Sequence, residues 1–343
     1  MKAFVTGTDG YLGIMLAGYL HKRGHTVLGC DTGFYRTGWL YNGTGYLPQT
    51  LSKDIRQVTV DDMRGYDAVI HLAELSNDPL GQLAPNITFD INHGGSMHLA
   101  KTAIQAGIKR FVYFSSCSVY GASPEMVDEN GATNPLTAYA QCKLKVEEGL
   151  KGLASDDFTP TYLRNATAYG ASPRQRFDIV VNNLAGLAYT TKEIAMTSDG
   201  TPWRPLVHVL DICQAAACAL EAPREAVHSE TFNVGGIDEN YQVKTVAKIV
   251  GETFPGCKVS IGDRGGDKRD YRVDFRKINT KLPGYKPEWT VQKGAQQLLE
   301  VFERIDLSKE LFESAPHTRL KQITHLIETK QIDADFFWKG IGQ

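Results

Sequence analysis

Met1-Lys2-Ala3-Phe4-Val5-Thr6-Gly7-Thr8-Asp9-Gly10-Tyr11-Leu12-Gly13 is the stretch that decides the fold. Ala3, Phe4 and Val5 form a short apolar run of the kind that makes a buried parallel strand. Gly7, Gly10 and Gly13 follow at three-residue spacing. Leu12, Met15, Leu16, Tyr19 and Leu20 then share one face of a helix expected over Leu12–His21. A glycine turn between strand and helix lets backbone come close to a pyrophosphate, and the helix start offers N–H groups and a positive dipole end. Gly7, Gly10, Tyr11, Leu12 and Gly13 are therefore expected to hold a dinucleotide. A second strand, Thr26–Cys30, ends at Asp31. A carboxylate there binds the adenosine ribose hydroxyls and repels a 2′-phosphate, which favours NAD over NADP.

Outward from this unit, strand and helix alternate. Thr32–Thr50 has no periodicity and reads as a long loop, a feature often functional. Ala68–Ala73, Phe111–Phe114 and Thr161–Leu163 read as further buried strands; Val60–Met63, Ile87–Gly107 and Leu136–Leu153 read as helices. This alternation predicts an α/β fold with a doubly wound parallel sheet. In the second half, Ile179–Tyr189, Asp211–Glu221 (Asp211 as N-cap), Val243–Phe254 and Thr290–Arg304 read as helices, and Leu206–Val209 and Phe232–Gly236 as strand pieces. Arg264–Tyr271 reads as a charged surface loop. The expected organisation is a nucleotide-binding domain over 1–170, rejoined by later segments at about 205–235. A smaller mixed α/β substrate lobe, interleaved over 171–304, and a helical tail of unassigned role over 305–343 complete it.

Bulk properties narrow the class. The chain has 343 residues and a net charge of −2, so neither nucleic acid nor an anionic membrane is expected as partner. No segment approaches the ~18 apolar residues of a membrane span, and the strand that starts at the N-terminus leaves no signal peptide ahead of it. The six cysteines form no CxxC pair, which suits reduced thiols in the cytoplasm. The nine histidines show no metal-ligand spacing, so no metal is expected.

The chemistry lies at Ser115-Ser116-Cys117-Ser118-Val119-Tyr120-Gly121 and Tyr139-Ala140-Gln141-Cys142-Lys143. Tyr139 and Lys143 are at i and i+4, on one helix face. A phenol with a reference pKa of about 10 is a poor base at neutral pH. A nearby ammonium favours the phenolate, which can take a proton from a substrate hydroxyl while a hydride leaves the same carbon. A serine at the strand end can hydrogen-bond the same oxygen. Tyr139, Lys143 and Ser116 are the expected catalytic residues.

These motifs resemble those of the extended short-chain dehydrogenase/reductase superfamily, and within it the NAD-dependent nucleotide-sugar epimerases and dehydratases. The resemblance runs over about Met1–Arg304 through Gly7-x-x-Gly10-x-x-Gly13, Asp54-Ile55, His71-Leu72-Ala73, Asn92, Ser116 before Val119-Tyr120-Gly121, Tyr139-x-x-x-Lys143, and Leu163-Arg164 with Tyr169-Gly170. It implies a Rossmann-type fold and NAD as cofactor. Asp54 and Ile55 would meet the adenine, and Leu72 and Ala73 would lie beside the pyrophosphate or nicotinamide ribose. Asn92 would support the cofactor site, and Lys143 would hold the nicotinamide ribose. Tyr139 would be the base and Ser116 its partner. Arg204 and, less directly, Arg269 would bind the diphosphate of a nucleotide-diphosphate sugar, with Thr167 where relatives often carry Asn. The resemblance also implies a homodimer through the helices around Asn92–Gln105 and Leu136–Gly152.

Departures from the family pattern narrow the reaction. Sugar 4,6-dehydratases place an Asp-Glu pair where this chain has Cys117 and Ser118, and decarboxylating relatives carry a glutamate where Ser118 stands. Cys117 reads as a packing residue before a catalyst, and His71 as a packed strand residue. Pro205 follows Arg204 where relatives have Asp. Arg174 and Arg176 either serve an acidic sugar or a phosphate, or solvate a loop; Trp203 either stacks on substrate or packs. Epimerisation, which needs only the triad, is the expected reaction. A keto-sugar reductase using the same triad in one direction is the second reading, and a dinucleotide-binding sensor the third.

Overall fold

The computed structural model describes residues 1–340 apart from 44, 77 and 266–268. Seven strands form one parallel sheet in the spatial order Thr231–Val234, Thr159–Asn165, Arg110–Ser116, Ala68–His71, Lys2–Thr6, Thr26–Asp31, Gln49–Ser52. From Lys2–Thr6 the chain winds first towards Gln49–Ser52, then returns to Ala68–His71 and continues the other way. The reversal opens a crevice at the carboxyl ends of Lys2–Thr6 and Ala68–His71, where ligands bind in open α/β sheets. Both faces are covered. Tyr11–Lys22 and Val209–Glu221 pack on one, while Ser96–Gln105 and Ala138–Leu153 pack on the other.

The remaining strands are short. Thr167–Tyr169, Trp203–His208 and Asn240–Gln242 form a three-stranded sheet; Glu193–Ser198 pairs with Lys258–Arg264, and Met126–Val127 with Arg272–Val273. With Val180–Thr190, Val243–Thr253 and Val291–Ile305 they build a second lobe around a core that includes Phe177, Val250, Leu298 and Phe302. This matches the expected smaller mixed lobe.

Four local expectations are corrected. The loop after Asp31 ends earlier than read: Gln49–Ser52 is the edge strand, with Asp31 in register with Ser52. Its polar sequence shows no pattern because the neighbouring backbone, not an apolar face, recruits it. The helix expected over Ile87–Gly107 is interrupted by a π-helical turn, Asp90–Gly95, a distortion common at functional sites; Asn92 lies in it, fully buried. Asp211 is not the N-cap of its helix. His208 caps it by accepting the Leu210 N–H at 3.2 Å. The Asp211 carboxylate instead accepts from the amides of Glu288 and Trp289 at 3.0 and 3.2 Å. Within Arg264–Tyr271, 266–268 lie outside the described residues. Tyr271 is buried rather than on a surface loop, and Arg269 reaches the central cleft.

Candidate active site

The glycine turn is shaped by steric necessity. Gly7 has φ +79°, and a Cβ there would sit 3.0 Å from the Ala73 amide nitrogen. A Cβ on Gly13 would lie 1.9 Å from the Gly7 carbonyl oxygen, so only glycine lets the helix approach the turn. Gly10 stands at the N-cap with no side-chain cap, and the first helical turn carries no acid. The amides at the start of Tyr11–Lys22 are thus left for an anion. Tyr11 spends its side chain elsewhere: its hydroxyl donates to the Gly170 carbonyl at 2.8 Å and ties the two lobes together. Leu12, Leu72, Ala73 and Ile55 line the same cleft.

Asp31 ends its strand as expected and accepts from the amides of Asp9 and Gly33 at 3.0 and 2.7 Å. Burial, with the Asp9 carboxylate beside it, pushes Asp31 up to about 6. Above that pH the carboxylate repels a 2′-phosphate, and below it the repulsion is lost. The ratio of NAD to NADP affinity is expected to shrink as pH falls from 8 to 5, measured by calorimetric titration. A pH-independent ratio would remove Asp31 from cofactor selection.

Behind the turn lies a relay of buried polar groups. The Thr6 hydroxyl accepts from the amides of Leu72 and Ala73, both at 3.1 Å, and is hydrogen-bonded to His71 Nδ1 at 2.7 Å. His71 Nε2 reaches Ser96 at 2.7 Å, and Ser96 donates to the Asn92 carbonyl. Burial depresses the His71 pKa to about 3, so it is a neutral strut and not a catalyst. The Asn92 side chain accepts from the Leu75 amide at 2.8 Å and donates to its carbonyl at 3.1 Å, which fixes the loop under the cleft. Asp54, expected against the adenine beside Ile55, is not among the residues that line the cleft. Arg56, two residues on, donates to both of its oxygens, at 3.0 and 2.8 Å.

Ser116, Tyr139 and Lys143 line the cleft together. Ser116 ends the strand Arg110–Ser116, and Thr137 caps the helix Ala138–Leu153 by accepting the Ala140 N–H at 3.2 Å. Tyr139 and Lys143 therefore share a face one turn apart. The expected electrostatics are corrected. Lys143 is buried, donates to the Phe114 carbonyl and pairs with Glu74 at 2.9 Å. Its Nζ lies 5.4 Å from the Tyr139 ring centroid. Burial holds the Tyr139 phenol well above its ordinary pKa, the Glu74 and Asp78 carboxylates raise it further, and Ser116 and Arg176 oppose them. Lys143 does not act on the phenol as an unpaired ammonium, because Glu74 neutralises it.

Glu74 was not singled out in the sequence, although it directly follows His71-Leu72-Ala73. It also accepts from the Tyr113 hydroxyl at 2.7 Å. Two other cleft residues were not singled out either. Ser118 Oγ and Asn165 Oδ1 are buried without a hydrogen-bond partner among the described residues, and both residues line the cleft. Buried polar atoms left unpaired are costly unless a ligand satisfies them.

The expected substrate residues divide. Thr167 and Arg269 line the cleft, and Arg269 pairs with Asp78 at 2.6 Å. Arg204 is buried and donates to the carbonyls of Trp203 and Arg269, so it braces the segment that carries Arg269. Of the two arginines left open, Arg176 lines the cleft beside Ser76 and pairs with Asp178 at 2.8 Å. Arg174 is structural: it stacks on Trp39 at 3.9 Å and donates to the Arg36 carbonyl. Cys117 is buried, its thiol donates to the Arg164 carbonyl at 3.1 Å, and burial pushes its pKa up; it packs. Among the described residues, no cluster of His, Cys, Asp or Glu could hold a metal, and no helix is long and apolar enough to cross a membrane.

Residues 3–235 match the NAD dependent epimerase/dehydratase family. The chain is 26% identical over 328 residues to UDP-glucuronate 4-epimerase of Thermodesulfobacterium geofontis, covering 90% of this chain and 98% of that protein. It is 28% identical over 314 residues to UDP-glucose 4-epimerase of Corynebacterium glutamicum, covering 84% and 92%. Among solved structures, UDP-glucose-4-epimerase from Stenotrophomonas maltophila with bound NAD and formylated UDP-arabinopyranose superposes with a TM-score of 0.76 at 26% identity, over 89% of this chain and 99% of that one. The glycine cradle that a Cβ would fill and the carboxylate at the end of the second strand fit NAD. The chain belongs to the NAD-dependent epimerase/dehydratase family, as an enzyme of the extended short-chain dehydrogenase/reductase type that uses NAD.

Proposed function

We propose that the protein epimerises a nucleotide-diphosphate sugar by removing a hydride from a ring carbon and returning it to the opposite face. The observation that carries this reading is the acid–base inventory of the cleft. Ser116 and Tyr139 share a wall with the unpaired Ser118 Oγ and Asn165 Oδ1, and the nearby carboxylates Glu74 and Asp78 are each held by a cation, Lys143 and Arg269. Water loss and decarboxylation use carboxylates where this chain has Cys117 and Ser118, so a single phenol must manage the proton, as epimerisation requires.

NAD, when bound, accepts and returns the hydride, and its cationic ring favours the phenolate. The chain's own residues do the rest. Tyr139 takes the proton from the sugar hydroxyl, and Ser116 hydrogen-bonds the same oxygen. Ser118 and Asn165 bind sugar hydroxyls, and the keto sugar turns over between their alternative contacts. Tyr139 then returns the proton. Arg269, braced by Arg204, meets the diphosphate as a planar donor suited to phosphate oxygens. The UDP-sugars named for the relatives point to UDP as the nucleotide, and Arg176 to a group of negative charge on or near the sugar. The protein acts as a cytoplasmic homodimer in this reading, through Ser96–Gln105 and Ala138–Leu153.

Purified protein is expected to interconvert epimeric UDP-sugars with no added dinucleotide. Strict dependence on added NADH would favour the keto-sugar reductase instead. The intact Ser116, Tyr139 and Lys143 argue against a catalytically silent sensor.

Glu74 supplies a second test of the same site. Glu74→Gln removes a negative charge that raises the Tyr139 pKa. It also frees Lys143, so the phenolate becomes easier to form. The acid limb of the pH–rate profile is expected to move to lower pH by about one to two units. An unshifted limb would mean that Glu74 does not set the phenol's basicity.

A further inference from the structure

The segment after Ile305 folds back onto the cofactor half of the cleft. Its helix Arg319–Glu328 packs Ile323 and Leu326, and the following chain packs Ile332 and Phe336, into a cluster with Phe34 and Ile55. The Gln322 side chain donates to the Phe34 carbonyl at 2.9 Å, and the Trp338 indole N–H donates to the Thr32 carbonyl at 2.7 Å. The chain just past Asp31 and the wall at Ile55 are thereby bolted under the tail.

Among the described residues of this segment, Arg319 is the one that lines the cleft and carries an unspent charge. It is 6% exposed yet lines the cavity that holds the glycine turn. Its guanidinium lies on the Tyr35 ring at 3.7 Å and has no hydrogen-bond or ion-pair partner among the described residues. Burial depresses its pKa to about 10 with Arg176 assisting, against Tyr35 and the more distant Asp178 and Asp31 carboxylates, so it stays charged at neutral pH with no carboxylate in ion-pair contact. A Cβ on Gly10 would sit 3.9 Å from its Nη2. A buried cation and an uncapped helix N-terminus thus converge on one point. Burying a charge this way is costly unless an anion joins it.

We propose that Arg319 completes the site for the cofactor's diphosphate from the opposite side of the glycine turn, and that the tail latches NAD in place between turnovers. The guanidinium donates to phosphate oxygens that the amides of Tyr11 and Leu12 meet from below, and Trp338 and Phe336 close the adenosine side. The cofactor leaves only when the tail undocks, which suits a reaction that returns its hydride on the same protein. This rests on NAD binding and not on the identity of the sugar or its reaction.

The test is binding, read on the full chain after NAD has been stripped. Adenosine and ADP are titrated by calorimetry into wild type, Arg319→Gln and Arg319→Lys, with melting curves to show that each is folded. Arg319→Gln is expected to weaken ADP about 10-fold or more and leave adenosine within about 2-fold, because only ADP carries the anion. Arg319→Lys, which keeps the charge and loses the fork, is expected to fall between and to serve if the glutamine variant does not fold. Exchange of bound NAD for labelled NAD is expected to quicken about 10-fold or more in Trp338→Ala. Equal losses for adenosine and ADP would make Arg319 a structural residue and overturn the diphosphate contact. Unchanged exchange in folded Trp338→Ala would overturn the latch. Neither result would touch the epimerase reading, which is decided by turnover of UDP-sugars.

Discussion

Tyr139→Phe is expected to lower kcat by about 10³-fold while NAD binding stays near wild type. The phenol oxygen is the only part of the side chain removed, so packing around the ring is retained. Ser116 and Lys143 remain, but a hydroxyl held by serine is too weakly basic to replace the phenolate. The deficit should sit in kcat and not in KM, because the lost interaction matters when the proton moves. Single-turnover measurement of hydride transfer from the sugar, followed by the absorbance of reduced NAD, checks this. A variant that kept more than about a tenth of wild-type activity would remove Tyr139 as the base.

Glu147→Ala is expected to cost about 3–5 kcal/mol of stability. Glu147 and Arg164 pair at 2.7 Å with side chains 0% and 4% exposed. Glu147 also accepts from the Ser115 hydroxyl, and Arg164 donates to the Tyr120 hydroxyl at 2.9 Å, which in turn donates to Asn233 at 2.7 Å. Removing the carboxylate leaves a guanidinium in the interior with only neutral partners, and the penalty is that of an uncompensated charge. Urea denaturation of both proteins measures it. A loss below about 1 kcal/mol would mean that water reaches Arg164 in the variant. The pair lies directly behind Ser115–Ser116, so residual activity of folded Glu147→Ala also reports whether the strand end keeps its place.

Much of the site was readable from the chain because its parts are local. Three glycines in seven residues, a strand ending in Asp31, and a tyrosine and lysine one turn apart each carry their geometry within a few residues. What the chain hid was pairing over distance. Asp211 looks like a cap from its neighbours, yet its partners are the amides of residues 77 and 78 positions on. Lys143 looks like an unpaired activator, yet Glu74 holds it across the cleft. Asp54 looks like an adenine contact, yet Arg56 takes its oxygens. Ser118 and Asn165 look like ordinary polar residues until burial shows that Ser118 Oγ and Asn165 Oδ1 lack partners among the described residues. Each of these depends on which groups are withdrawn from water together, and no period or motif records that.

The sequence by itself determined the class of fold, the cofactor and the placing of a tyrosine and a lysine on one helix face, because backbone approach at glycine, strand burial and helical spacing are set by short-range sterics. Only the tertiary structure decided where charge resides around the Tyr139 phenol and where the last forty or so residues pack. The tail has no motif; its place arises from Arg319 reaching the glycine turn and Trp338 reaching Thr32, contacts that span some three hundred residues and that no local pattern records.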